Sequence, residues 1–419
     1  MGSTRLRLAS LFAVAALAVG ACGSATPAAS GGGSGNDCTA GAAQGGANLQ
    51  IPDVVAGKFN VAMVLIGPHD DGGWSQAHYE GLQYLCQNLA GSHVAYVELV
   101  PEGTDSEQVF RSLARKGFNF IIGTSFGYMD PMETVAKDFP DTTFLHLTGY
   151  KSNGKNFGNF FGAVEDFKYL AGQLAGARAK KDGIPKIGYM ATFPIPEELR
   201  LGNAITRGVK VTCPECTVDV RFINTWHDPQ KERDGAASLF DAGADVVFTG
   251  ADTPAVADVA KEKGKWAVTY DHPSSCAGKD ACLTAPYWIW GPEYVRIGQQ
   301  VKDKKYTAGY EYFDADSKAM GLYGFMAGQT PQKGVSDLPQ ADVDKVKSTL
   351  ADMLAGKVGR FDVFAGPIKD NTGKELLPAG QKLKQSDLDQ FPPGAPGSEC
   401  SVCMYWWNDG ITSPLPPLS

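Results

Sequence analysis

Residues 59–66, FNVAMVLI, lead into a polar, glycine-rich turn at 67–73, GPHDDGG, and then into a helical pattern from Trp74 through Gln87. An eight-residue, almost wholly apolar run bounded by a turn reads as a buried strand. Working outward, the same order repeats. Further strands are expected at 94–100, 118–122 and 142–147. A helix is expected at 104–116, opened by a Thr104/Glu107 capping box, then one capped by Asp130-Pro131, then a long Ala- and Gly-rich one at 162–180. After Gly183 the alternation restarts, with strands at 186–190, 218–223, 244–248 and 266–270. The helices between them run over 197–210, from Asp228-Pro229 to near Gly243, and from Thr253-Pro254 to Gly264. At such starts a small polar side chain caps orphan N–H groups, and a proline at the first position loses nothing by lacking one. Regular strand–helix alternation specifies parallel sheets with right-handed crossovers, and two successive runs specify two lobes. The expected class is α/β, each lobe a mostly parallel sheet flanked by helices. Lobe 1 is expected over 59–183, completed by about 291–330, and lobe 2 over 184–290. A C-terminal extension with a Cys-rich tail follows at 331–419.

The chain has 419 residues, 38 Lys+Arg against 46 Asp+Glu, and a net charge of −8. That balance argues against a nonspecific nucleic-acid binder, which needs a basic face. No apolar run reaches the ~20 residues of a membrane-spanning helix. At the N-terminus, Arg5 and Arg7 precede an apolar segment at 8–19, followed by Val19-Gly20-Ala21-Cys22. Small residues before that cysteine resemble a bacterial lipobox, which implies a signal peptide at 1–21, lipid on Cys22 and a protein held on the extracytoplasmic face of the cell membrane. Residues 23–50 are mostly Gly, Ala, Ser and Thr, so 22–58 is expected to be a flexible tether. Export also favours disulfides among the remaining eight cysteines. Local pairing gives Cys213–Cys216, Cys276–Cys282 and Cys400–Cys403 and leaves Cys38 with Cys86, one of 105 connectivities. A redox CxxC should open a helix, whereas Cys213-Pro214-Glu215-Cys216 runs into a strand.

In parallel α/β lobes, ligands bind beyond the carboxyl ends of the strands. Those positions hold Asp71 and Trp74, then Ser125, Phe126 and Tyr128, then Phe193, Trp226 with His227, Asp252, and Asp271 with His272; Trp288 and Trp290 follow. The candidate ligand contacts are Asp71, Trp74, Phe126, Trp226, Asp252, Asp271, Trp288 and Trp290. Aromatics with isolated carboxylates suit a flat, π-rich ligand bearing N–H donors, such as a purine. Each also has a plainer reading: Asp71 and Asp252 as helix caps, Trp74 as a core residue, Trp288 and Trp290 as hinge packing. The six histidines show no ligand spacing, so no metal is expected, and nothing calls for a cofactor.

Several stretches together resemble the basic membrane protein family of substrate-binding lipoproteins, the purine nucleoside receptor type. They include Asp71-Gly-Gly-Trp74-Ser, Phe193-Pro-Ile-Pro196-Glu, Asn224-Thr-Trp226-His-Asp228-Pro229 and Trp288-Ile-Trp290-Gly-Pro292, within 59–364. The resemblance implies a two-lobed type I periplasmic-binding fold that closes on a purine and hands it to an ABC permease. It also implies that Trp74 and Trp226 sandwich the base, with Asp71 and Asp271 as polar contacts. Ser75 stands where nucleoside binders carry Asn, and Trp288 where they carry Lys. These departures resemble a subgroup that binds a free base such as adenine. The expected protein is a monomer and not an enzyme. Two alternatives are an extracellular purine sensor and, through Gly123-Thr-Ser125-Phe-Gly127, a serine hydrolase using Ser125. In a hydrolase the helix must begin directly after the serine, and the Asp130-Pro131 cap implies a later start.

Overall fold

The structure is a computed structural model that describes residue 38 and residues 41–44, 49–392, 394–395 and 398–417. The expected signal peptide and Cys22 lie outside the described residues. In chain order the elements are β1 (Gly41–Gln44), β2 (Phe59–Val64), α1 (Trp74–Asn88), β3 (Ser92–Glu98), α2 (Thr104–Lys116), β4 (Phe120–Gly123), α3 (Met129–Asp138), β5 (Thr143–Leu147), β6 (Phe157–Gly162) and α4 (Val164–Asp182). They continue with β7 (Lys186–Ala191), α5 (Pro196–Thr212), β8 (Thr217–Phe222), α6 (Pro229–Asp241), β9 (Val246–Thr249), α7 (Ala255–Lys263), β10 (Trp266–Val268), β11 (Cys282–Thr284), β12 (Pro286–Trp288), α8 (Gly291–Lys302), β13 (Tyr310–Phe313) and β14 (Met320–Leu322).

One sheet has the order β1-β3-β2-β4-β5-β6-β13, the other β11-β10-β9-β7-β8, and every pairing in both is parallel. Strand order reverses between β2 and β4 in the first and between β7 and β9 in the second, which opens a crevice at each. The chain crosses from one sheet to the other through α4 and returns to place β13 beside β6.

Local readings changed in four places. Helix α2 starts at Thr104, but its cap is Gly103 at φ 87 and no side chain bonds there, so the Thr104/Glu107 box does not form. Asp130 does not open a helix either: a 3-10 turn begins at Phe126 and runs into α3. Strand β6 (FGNFFG) carries two glycines and an Asn, which weaken intrinsic strand propensity. It forms because β5 and β13 pair on its two sides, and a side chain at Gly162 would collide with the Phe313 ring, 2.4 Å from its Cβ position. Within the expected tether, Gly41–Gln44 pairs in parallel with Ala95–Glu98, and Cys38 is joined to Cys86, so the ordered body begins upstream of Phe59.

The two helices that carry the site from behind, α4 and α5, approach closely because their contact face is small. A Cβ at Gly208 would lie 2.0 Å from the Tyr169 carbonyl oxygen, and one at Gly172 would lie 2.4 Å from that of Ile205. The structure also joins Cys213 to Cys216, Cys276 to Cys282 and Cys400 to Cys403. Cys213 follows the C-terminus of α5 and is fully buried, the opposite of a thiol-activating position. The C-terminal segment wraps back over both sheets. Asp389 binds Arg200 of α5 at 2.8 Å and the Tyr310 hydroxyl of β13 at 2.7 Å. Ile411 forms a parallel bridge with Val218, so the tail extends the β8 edge.

Candidate functional site

A cavity lies where the two crevices face each other, lined by Ile66, Trp74, Ser125, Phe126, Thr148, Glu197, Glu198, Trp226, Gly250, Asp252, Tyr270 and Asp271. Of the eight candidate contacts, the fold brings Trp74, Phe126, Trp226, Asp252 and Asp271 to this wall. Asp71 sits just behind it. Its carboxylate accepts the N–H groups of Gly73, Ser75 and Gln76 and so caps α1. Burial raises its pKa against those three bonds. Trp288 and Trp290 do not line the cavity. They stack on each other at 4.4 Å, Trp290 stacks on His78 at 4.6 Å, and Trp74 meets both indoles edge-on at about 6 Å. The Trp-Ile-Trp segment therefore packs behind Trp74 and holds it in place, helped by the Trp74 Nε1 bond to the Thr124 carbonyl at 2.6 Å. Trp288 reaches the site indirectly, donating Nε1–H to Asp271 Oδ1 at 2.9 Å.

Opposite Trp74 stands Trp226, braced by Phe193 at 5.0 Å. Its Nε1–H is buried without a partner among the described residues, as are Asp252 Oδ2, Glu197 Oε2, the Tyr270 hydroxyl and Thr148 Oγ1. Orphaned polar atoms on one cavity wall are groups that a ligand can satisfy. Two wall residues also hold strained backbone: Asp271 at φ 68 and Thr148 at φ 72, the latter β-branched.

The site is acidic. Burial pushes Asp252 and Asp271 well above the usual carboxylate range, and each is raised further by Asp71 nearby. Burial carries Glu197 up to about 8. Sequence reading passed over Glu197 as a contact, naming it only at the end of the Phe193-Pro-Ile-Pro196-Glu stretch, and it passed over Lys168 altogether. Lys168 comes from α4, fully buried. Its Nζ donates to the Thr249 carbonyl at 2.8 Å and lies 3.4 Å from the Tyr270 ring centroid. Burial lowers its pKa to about 8 against the pull of Asp271, Glu198 and Glu197. An ammonium thus acts on Asp271 from α4. It does so from behind the wall, since Lys168 does not line the cavity.

Linear spacing gave no reason to expect a metal, but folding brings Asp71, His227 and Asp252 together, one ligand-type atom from each within 4.8 Å of the others. Three backbone N–H groups already occupy the Asp71 oxygens, which makes it a poor ligand.

Ser125 Oγ donates to Glu102 at 2.6 Å, and His146 contacts its carbonyl oxygen, not its hydroxyl. The argument from a late helix start does not stand, because the 3-10 turn begins directly after Ser125. What removes the hydrolase reading is that, among the described residues, no histidine reaches that hydroxyl, and its partner Glu102 is tied to the Gly127 N–H as a structural acceptor.

Residues 58–351 match the family model of PnrA-like ABC transporter substrate-binding proteins. A purine-binding protein of Brucella abortus is 32% identical over 333 residues, covering 79% of this chain and 90% of that one. A Haloferax volcanii protein, provisionally named an ABC transporter glucose-binding protein, is 39% identical over 235 residues, 56% of this chain. The chain thus spans 59% of that relative's length. The solved structure of an ABC transporter solute-binding protein from Aeropyrum pernix K1 has a TM-score of 0.63 at 15% identity, over 74% of this chain and 93% of that one. Such proteins are two-lobed solute binders rather than enzymes. The chain belongs to the family of PnrA-like ABC transporter substrate-binding proteins.

Proposed function

We propose that the cavity captures a purine, a free base such as adenine in preference to a nucleoside, for delivery to an ABC permease. The observation that carries this reading is the pairing of two tryptophans, Trp74 and Trp226, with orphaned carboxyl oxygens in one cavity. The indoles stack on the ring faces, and Asp252 and Asp271 accept edge N–H groups. Phe126 closes the wall beside them, while Asp71, Trp288 and Trp290 hold the contacts in position. The purine-binding relative supports the same class.

In this reading the lobes at 59–183 with 291–330, and at 184–290, close on the ligand, and the closed form is what the permease recognises. The protein works as a monomer tethered through a lipid on Cys22 to the extracytoplasmic face of the cell membrane, where an oxidising milieu keeps its cysteines paired. A calorimetric panel of adenine, guanine, hypoxanthine, adenosine, guanosine, glucose and ribose tests it. Adenine should bind most tightly. Binding of glucose with no purine bound would overturn the reading and favour the ligand in the name of the Haloferax relative.

A further inference from the structure

Glu197 stands in the first turn of α5 with its carboxyl on the cavity wall, 9% exposed, and its Oε2 has no partner among the described residues. Its neighbours are otherwise engaged. Glu198, next on the helix, accepts from the Tyr189 hydroxyl at 2.7 Å and the Thr192 N–H at 2.9 Å. Arg200, one turn on, pairs with Asp389 at 2.8 Å and with Glu165 of α4 at 3.4 Å. Lys168 of α4 is committed to the Thr249 carbonyl, and Asp271 beyond β10 to Trp288. Tyr270 also faces the same space, with its hydroxyl unpartnered. Glu197 is thus a buried carboxyl on which burial, with Glu198, Glu165 and Asp389 nearby, outweighs the pull of Arg200.

Such a group carries its proton. A neutral carboxyl presents an O–H donor beside a C=O acceptor in one plane, whereas a carboxylate presents acceptors only. Asp271 is already engaged as an acceptor by Trp288, and the unpartnered Tyr270 and Thr148 hydroxyls and the Trp226 N–H offer no C=O beside their donor, whereas the Glu197 carboxyl offers both in one plane. We propose that Glu197 is a specificity-determining residue of the cavity, its carboxyl O–H donating to a ring nitrogen of the bound heterocycle while its C=O accepts from the adjacent amine. This rests on the purine reading and extends it. The site then demands an aza-nitrogen next to an N–H group, which ribose and glucose lack. Affinity requires that one proton stay in place.

The test is adenine binding from pH 6 to 9.5 by wild type, E197Q and E197A, repeated with 1-, 3- and 7-deazaadenine at pH 7. In wild type, affinity should be flat to about pH 8 and then fall about tenfold per pH unit. In E197Q the amide presents N–H and C=O in the same places, so the fall above pH 8 should vanish. One deaza analogue should bind wild type at least tenfold more weakly than adenine, and the same replacement should cost nothing in E197A. Adenine binding by wild type with no pH dependence, or deaza penalties equal in wild type and E197A, would overturn this inference and leave the purine reading standing. No purine binding by wild type at any pH would overturn both.

Discussion

A Cβ added to Gly73, at the entrance of α1, would stand 1.9 Å from the carbonyl oxygen of Asp252 on the facing lobe. The two lobes meet there backbone to backbone, and only a residue without a side chain permits it. Gly73→Ala should therefore hinder closure. Overpacking a fitted contact costs about 1–3 kcal/mol, so ligand affinity should fall roughly 5- to 150-fold. Calorimetry checks the fall, and the far-ultraviolet circular dichroism of the ligand-free protein should be unchanged.

Trp226→Ala should weaken purine binding by about 1–3 kcal/mol, the usual contribution of one base–aromatic stack. Trp226→Phe, which keeps a ring against Phe193, should recover part of it. Equal affinity in wild type and alanine variant would place the ligand elsewhere.

Lys168→Met should destabilise the fold, because Asp271 and Glu198 lose the one ammonium that faces them. Its removal also leaves the buried Thr249 carbonyl without that donor, which costs about 1–3 kcal/mol. Urea unfolding measures it, and a loss below about 1 kcal/mol would show that these acids are already neutral in the folded protein.

Glu197 links stability to pH in a definite direction. Its ordinary value of 4.5 rises to about 8 in the folded chain. Between those values the native state holds a proton that the unfolded chain has released, so this residue makes stability decline as pH rises from 4.5 to 8, and flatten above. E197Q removes that contribution. Its stability relative to wild type should grow across this window in ligand-free urea titrations and stay constant beyond it. A difference independent of pH would mean that Glu197 is ionised in the native state.

Cys22→Ala should release the protein into the medium or leave its signal peptide uncleaved. Normal processing with full retention in the membrane fraction would remove the lipid anchor from the account. Thiol counting on the denatured, unreduced secreted form should find almost no free sulfhydryl.

The sequence by itself determined the architecture. An apolar run of strand length, a small polar or glycine turn and a 3.6-residue pattern recur in two successive runs between residues 59 and 270, and parallel βα alternation leaves few ways to fold. It also located most of the site, because the carboxyl ends of parallel strands are where a loop can present a side chain to a ligand; Trp74, Phe126, Trp226, Asp252 and Asp271 all follow strands. What it could not determine depends on partners distant along the chain. Strand β6 exists because β5 and β13 hold its backbone groups, against the preference of its glycines. Trp288 and Trp290 left the wall because His78 and Trp74 gave them ring surfaces to bury. Lys168 and Glu197 look like ordinary charged residues on amphipathic helices. Only the close glycine-lined packing of α4 against α5 turns both inward, into a space where an ammonium must find acids and a carboxyl must keep its proton.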